Sequence, residues 1–122
     1  PGEGRDPCQA HTMRAWVYIM TNKAFGTLYI GMTADLMRRI WEHKHGMIDG
    51  FTKKYGLHHL VYYECHDALE NAAMREKQLT EWKRNWKLRL IMDMNPNWND
   101  LYNDFVYSQA ADMGPGLRRD LQ

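Results

Sequence analysis

The chain has 122 residues, enough for one domain with short tails, and its 44% hydrophobic and 25% charged residues exclude an intrinsically disordered polymer. Sixteen Lys and Arg against fifteen Asp and Glu leave a net charge of +1, which excludes a polycation; any contact with nucleic acid must come from local clustering of charge. No apolar run or signal-peptide core predicts a membrane partner, and two cysteines, Cys8 and Cys65, are too few for a disulfide framework or a tetrahedral zinc site, so a cytoplasmic domain with reduced thiols is expected.

Residues 1–13, rich in Pro and Gly, read as a flexible leader or cloning remnant, with Met13 as a natural start. Residues 14–107 read as the folded domain and residues 108–122, ending GPGLRRDLQ, as a flexible C-terminal tail. The first element of the domain is a strand over Trp16–Met20, rich in β-formers, followed by a turn with Asn22 and Gly26 and a second strand at Leu28–Ile30. Together they predict a β-hairpin. Alternation separates Val17, Ile19, Leu28 and Ile30 from Tyr18 and Tyr29, so paired strands project both tyrosines from one side of the sheet.

From Ala34 the run ADLMRRIWEHK predicts a helix capped by Thr33 or Asp35 and broken at Gly46 and Gly50. A third strand is predicted at Leu60–Glu64. A long helix is then expected over about Asp67–Leu90, with Leu69, Ala72, Ala73, Leu79, Trp82 and Trp86 near one stripe, until Asn95-Pro96 ends that region and NWNDLYNDF forms a last short helix. The sum is an α+β layer fold.

Three features of this pattern carry chemistry. Glu76 falls inside the apolar stripe of the long helix, and an ionised carboxylate there needs a cation, a metal or a proton. Lys83 or a local arginine is the ordinary structural partner; a site role is the alternative, and both stand open. Arg39 and His43 are spaced i, i+4, so a guanidinium and an imidazole lie one turn apart and can grip a phosphate, although Arg38, Glu42 and Lys44 fit equally well on a solvated face. Residues 75–89 hold six Lys and Arg against two Glu, and Lys53-Lys54 adds a basic pair near Phe51 and Tyr55. Such interleaving suits nucleic acid, but the aromatics read more readily as core than as stacking platforms. The histidines lack metal-finger spacing, and no phosphate-binding glycine loop, dinucleotide fingerprint or nucleophile elbow is present, which argues against a nucleotide hydrolase or a dehydrogenase.

Taken together, Val17-Tyr18-Ile19, nine intervening residues, Tyr29-Ile30-Gly31 and Arg39 eight positions after that glycine resemble the GIY-YIG nuclease signature. The segments Arg38–Lys44, Gly50–Tyr55, Leu60–Glu64, Arg75–Leu79 and Asn95–Leu101 follow in order, as in the small single-domain bacterial branch related to the nuclease domain of the nucleotide-excision repair endonuclease. The first motif departs from the family in reading VYI, and Met32 stands where many DNA-repair relatives carry lysine.

The resemblance implies a three-stranded antiparallel sheet flanked by helices and a metal-dependent endonuclease acting on DNA. Residue by residue, it implies Glu76 as ligand to a Mg²⁺ or Mn²⁺ ion, Arg39 as phosphate partner, and Tyr18 and Tyr29 (with His43) as groups that position or deprotonate the attacking water. A phenol acting as base needs cations nearby to lower its pKa. Arg38, Lys44, Lys53, Lys54 and Asn95 are the expected substrate contacts. The alternative function is a nucleic-acid or protein binding module on a nuclease fold, which has no need of all five central residues.

Overall fold

A computed structural model describes residues 14–111. The leader 1–13 and residues 112–122 of the expected tail lie outside the described residues. Three strands, β1 (Ala15–Thr21), β2 (Leu28–Thr33) and β3 (His59–His66), form one antiparallel sheet in the order β2-β1-β3. Helices α1 (Leu36–Lys44) and α2 (Phe51–Tyr55) lie between β2 and β3 in sequence, and α3 (Leu69–Glu81), α4 (Arg84–Met94) and α5 (Tyr102–Ala111) follow. The α+β class and the antiparallel sheet agree with the sequence. The last helix runs to Ala111.

The central strand β1 is buried along its whole length because helices cover both faces of the sheet. On one face Trp16, Tyr18 and Met20 pack with Leu36 and Ile40 of α1, Leu57, Leu60 and Phe105 of α5. On the other, Ala15 and Val17 pack against Ala72 and Leu79 of α3, while Ile19 meets Val61, Ile91 of α4 and Trp98. A bulge after Ile19, opposite Tyr62, shifts the register so that Met20 pairs with Leu60. Val61 and Tyr62 therefore both serve the same cluster.

The α1 start combines both expected caps: the Asp35 carboxylate accepts from the Arg38 N–H at 3.2 Å, and the Thr33 hydroxyl accepts from the Asp35 N–H at 3.0 Å. The single long helix expected over 67–90 is two helices, broken where Trp82 and Lys83 take extended conformations (ψ 150° and 149°). No Pro or Gly marks that break. An unbroken helix of that length would run about 36 Å at ~1.5 Å per residue, whereas an eight-residue strand spans about 27 Å at ~3.4 Å per residue. The break lets α4 turn back and bring Leu88, Leu90 and Ile91 onto the sheet. The stripe is narrower than expected: α3 buries Ala72 and Leu79, while Leu69, Ala73 and Trp86 are exposed.

Candidate functional site

The hairpin register sets the first part of the site. Tyr18 pairs with Gly31 and Met20 with Tyr29, so both tyrosines project from the α1 face, their ring centroids 6.3 Å apart. The close approach requires glycine at position 31: a Cβ there would sit 2.6 Å from the Tyr18 hydroxyl oxygen, 2.7 Å from its ring carbon Cζ and 3.0 Å from a Tyr29 ring carbon. Tyr18 is wholly buried, whereas Tyr29 is partly exposed at the sheet's outer strand.

Helix α1 supplies the second part. His43, 2% exposed, faces inward, and its Nε2 lies 3.0 Å from the Tyr18 hydroxyl. Its Nδ1 lies 2.9 Å from the hydroxyl of Thr52, itself buried on α2. If Nδ1 carries the proton and donates to Thr52, Nε2 is left as acceptor for Tyr18. Burial, then the neighbouring Arg39 charge, lowers the His43 pKa to about 4. The imidazole is therefore neutral near pH 7. The Arg39 charge lies close enough to Tyr18 to oppose the larger effect of burial, which pushes the Tyr18 pKa well above its usual value. At Tyr18 withdrawal from water outweighs the cation beside it, the opposite of what a phenol acting as base needs. Arg39 keeps an ion pair to Glu42 through Nε at 3.5 Å.

Glu76 approaches from the opposite layer. It lines a cleft of about 360 Å³ with Leu28, Tyr29, Ile30, Phe51, Thr80 and Lys87, at the rim formed by the edge strand β2. Its side chain is half-buried at the margin of the apolar stripe and not within it. Its negative charge acts on Tyr18. Among the described residues neither Lys83 nor an arginine forms an ion pair with Glu76, so the ordinary structural partner expected from sequence is not there.

The other expected contacts scatter. Lys44 is held by Asp100 and by the His58 carbonyl at 2.9 Å, away from the cleft. Arg38 is exposed and pairs with Glu42 at 3.3 Å. Lys53 pairs with Asp49, and Lys54 lies over the Tyr55 ring. Asn95 is buried on the α4 side, where its amide donates to the carbonyls of Val61 and Asn99 and its oxygen accepts from the Asn99 N–H. It acts as a brace for the turn after α4, because a buried amide satisfies its donors on nearby backbone.

Sequence reasoning missed Thr52 and Thr80, and noted Phe51 and Lys87 only within a basic, aromatic stretch. Thr52 and Phe51 sit on α2, a five-residue helix between glycines too short to show periodicity. It also placed the aromatics in the core, yet Phe51, Tyr55 and Trp86 are exposed.

The donor set fits one kind of metal. Among the described residues no three His, Cys, Asp or Glu side chains gather, so a fully protein-ligated ion such as structural zinc has no cage. A lone, half-buried carboxylate opening on a cleft instead suits a hard divalent ion that keeps its waters and takes its remaining ligands from substrate phosphate.

The model of the GIY-YIG catalytic domain matches residues 14–89. The chain belongs to the GIY-YIG family. Its relatives include the UPF0213 proteins of Staphylococcus aureus strains Mu50 and N315, each 35% identical over 68 residues that span 56% of this chain and 83% of the relative. A UPF0213 protein from Bacillus halodurans, solved by solution NMR, is 27% identical, with a TM-score of 0.47 over 72% of this chain and 93% of its own. The GIY-YIG match contains the whole sheet, α1 to α3, and every residue of the cleft. Helix α5 lies beyond it. Among the described residues no helix is long and apolar enough to cross a membrane.

Proposed function

We propose that the chain is a divalent-metal-dependent endonuclease that hydrolyses DNA phosphodiester bonds. The observation that supports this reading is that Tyr29 and Glu76 line one cleft at the β2 rim, while Tyr18 beside Tyr29 is hydrogen-bonded to His43 and feels the charges of Arg39 and Glu76.

Glu76 would hold the Mg²⁺ or Mn²⁺ ion. Such an ion supplies Lewis acidity toward the phosphate and charge stabilisation for the leaving oxygen. The chain's own groups divide the remaining work by their exposure. Tyr29, the tyrosine that lines the cleft, orients the attacking water. Arg39, partly exposed, pairs with the phosphate as charge accumulates on its oxygens in the transition state. Tyr18 and His43 are too buried to touch substrate and act as positioning residues. The Tyr18 hydroxyl, hydrogen-bonded to His43 Nε2 and in the field of Arg39, forms the polar backing behind the guanidinium. Thr52 in turn fixes the imidazole.

The test is incubation of the purified protein with labelled single-stranded, duplex and branched DNAs in Mg²⁺, Mn²⁺ or EDTA, beside Glu76→Gln. Cleavage in metal, lost in EDTA and in the variant with DNA binding retained, is expected. Cleavage indifferent to EDTA or to Glu76→Gln overturns the metal role; binding of DNA without cutting in either metal is the behaviour of a binding module and overturns the enzyme reading.

A further inference from the structure

Helix α2 uses one of its five residues, Thr52, for the interior and sets both of its aromatic side chains toward solvent. Phe51 is 46% and Tyr55 48% exposed, with ring centroids 4.8 Å apart. Exposure alone decides nothing, since single apolar side chains are common on surfaces. Position decides. Among the described residues Phe51 is the exposed aromatic that lines the cleft holding Glu76 and Tyr29. It also stacks on Tyr29, at 6.3 Å between centroids and 25° between planes, so the plane of the site tyrosine continues outward to solvent.

The surroundings match a polyanion carrying flat rings. Lys87 shares the cleft, and Lys53 and Lys54 follow Phe51 on α2, the first paired with Asp49 and the second over the Tyr55 ring. A phosphate held at Glu76 would lie in the cleft that Phe51 lines, within reach of a neighbouring base for that ring. In a duplex that base has both faces covered by its stacked neighbours. An unpaired base offers a free face, and stacking on an aromatic ring is the usual, sequence-tolerant way to hold it. A net charge of +1 adds little general attraction for a duplex.

We propose that Phe51 is a base-stacking residue and that the substrate is DNA unpaired next to the scissile phosphate, a single strand or the single-stranded part of a junction. This specificity rests on the nuclease reading above.

The experiment uses the full chain without divalent ion and a single-stranded oligonucleotide carrying 2-aminopurine, whose fluorescence is quenched by stacking, with a blunt duplex of the same sequence for comparison. Wild type is expected to bind the single strand more tightly than the duplex and to quench the probe. Phe51→Ala is expected to weaken single-strand binding about 5- to 150-fold, the range that one base on one ring is worth. Phe51→Trp retains binding and quenching, while Phe51→Leu, which keeps apolar bulk without a π-face, behaves like alanine. Phe51→Ala or Phe51→Leu binding single strands as wild type does, or losing single strand and duplex equally, overturns the stacking role while cleavage by wild type still stands. Failure of wild type to bind or cut any DNA removes the nuclease reading and this inference with it.

Discussion

Replacing Gly31 with alanine reverses an ordinary expectation. Glycine inside a strand is normally a weak point, and alanine there recovers about 0.5–1 kcal/mol. At Gly31 the added methyl would lie 2.6 and 2.7 Å from the Tyr18 oxygen and ring carbon. Carbon atoms rest at about 3.5–4.0 Å, so the ring has to retreat by roughly 1 Å. It has no room to do so: Tyr18 is wholly buried among Trp16, Met20, Leu36 and Ile40 and is tied to His43. Overpacking of this kind costs about 1–3 kcal/mol, and each kcal/mol lowers Tm by about 4–8 °C in a domain of this size. Displacing the Tyr18 hydroxyl behind Tyr29 and Arg39 by that distance is also expected to lower cleavage by about 10²-fold. Tyr18→Phe in the same chain removes the 2.6 Å contact but leaves the ring carbon at 2.7 Å, so the double variant recovers only part of the stability. Thermal and urea unfolding beside a cleavage assay read both effects. A Gly31→Ala protein as stable as wild type, or more stable, refutes the packing argument.

The remaining predictions concern the groups behind and in front of that ring. Thr52→Val keeps the shape but strands the buried His43 Nδ1–H, which costs about 1–3 kcal/mol, whereas Thr52→Ser restores it; unfolding curves and the imidazole nitrogen shifts in NMR distinguish the two. Because the folded His43 pKa is about 4 and that of a free imidazole 6.5, the unfolded chain binds more protons between these values. Stability carried by neutral His43 is thus full above pH 6.5 and falls as pH drops toward 4, by at most about 1.4 kcal/mol per pH unit. His43→Gln is expected to flatten that part of the stability–pH curve, and an unaltered slope contradicts the assignment. Arg39→Ala is expected to lower single-turnover cleavage about 10²–10³-fold, the usual worth of one electrostatic stabiliser; a change under threefold in single-turnover assays argues that another cation meets the phosphate.

Features governed by local spacing were legible in the sequence. A period of two placed Tyr18 and Tyr29 on one side of the hairpin, and the register of Tyr18 with Gly31 agrees. The i, i+4 spacing put Arg39 and His43 together, and both act on Tyr18, His43 by a hydrogen bond and Arg39 by its charge. Features set by long-range packing were not legible. Trp82-Lys83 carries no breaker, and the break there goes with the packing of Leu88, Leu90 and Ile91 onto the sheet. The Glu76 position on α3 was apparent, but its placement at a rim depends on β2 being an edge strand. Asn95 and Lys44 looked available because nothing local reveals that distant Val61 and Asp100 engage them. Thr52 gained meaning only when α2 folded against α1.

The three-stranded sheet also acts as a spacer. Tyr29 hangs from one layer and Glu76 from the other, and between them lies Ile30, whose side chain packs into both clusters beneath α3 and α4. The gap between hydroxyl and carboxylate is therefore gauged by an aliphatic side chain that takes no part in the chemistry. Slimming or thickening that wedge by one methyl group would mistune the alignment of the two layers while leaving every polar group intact, so on the nuclease reading the rate becomes adjustable from the oily interior.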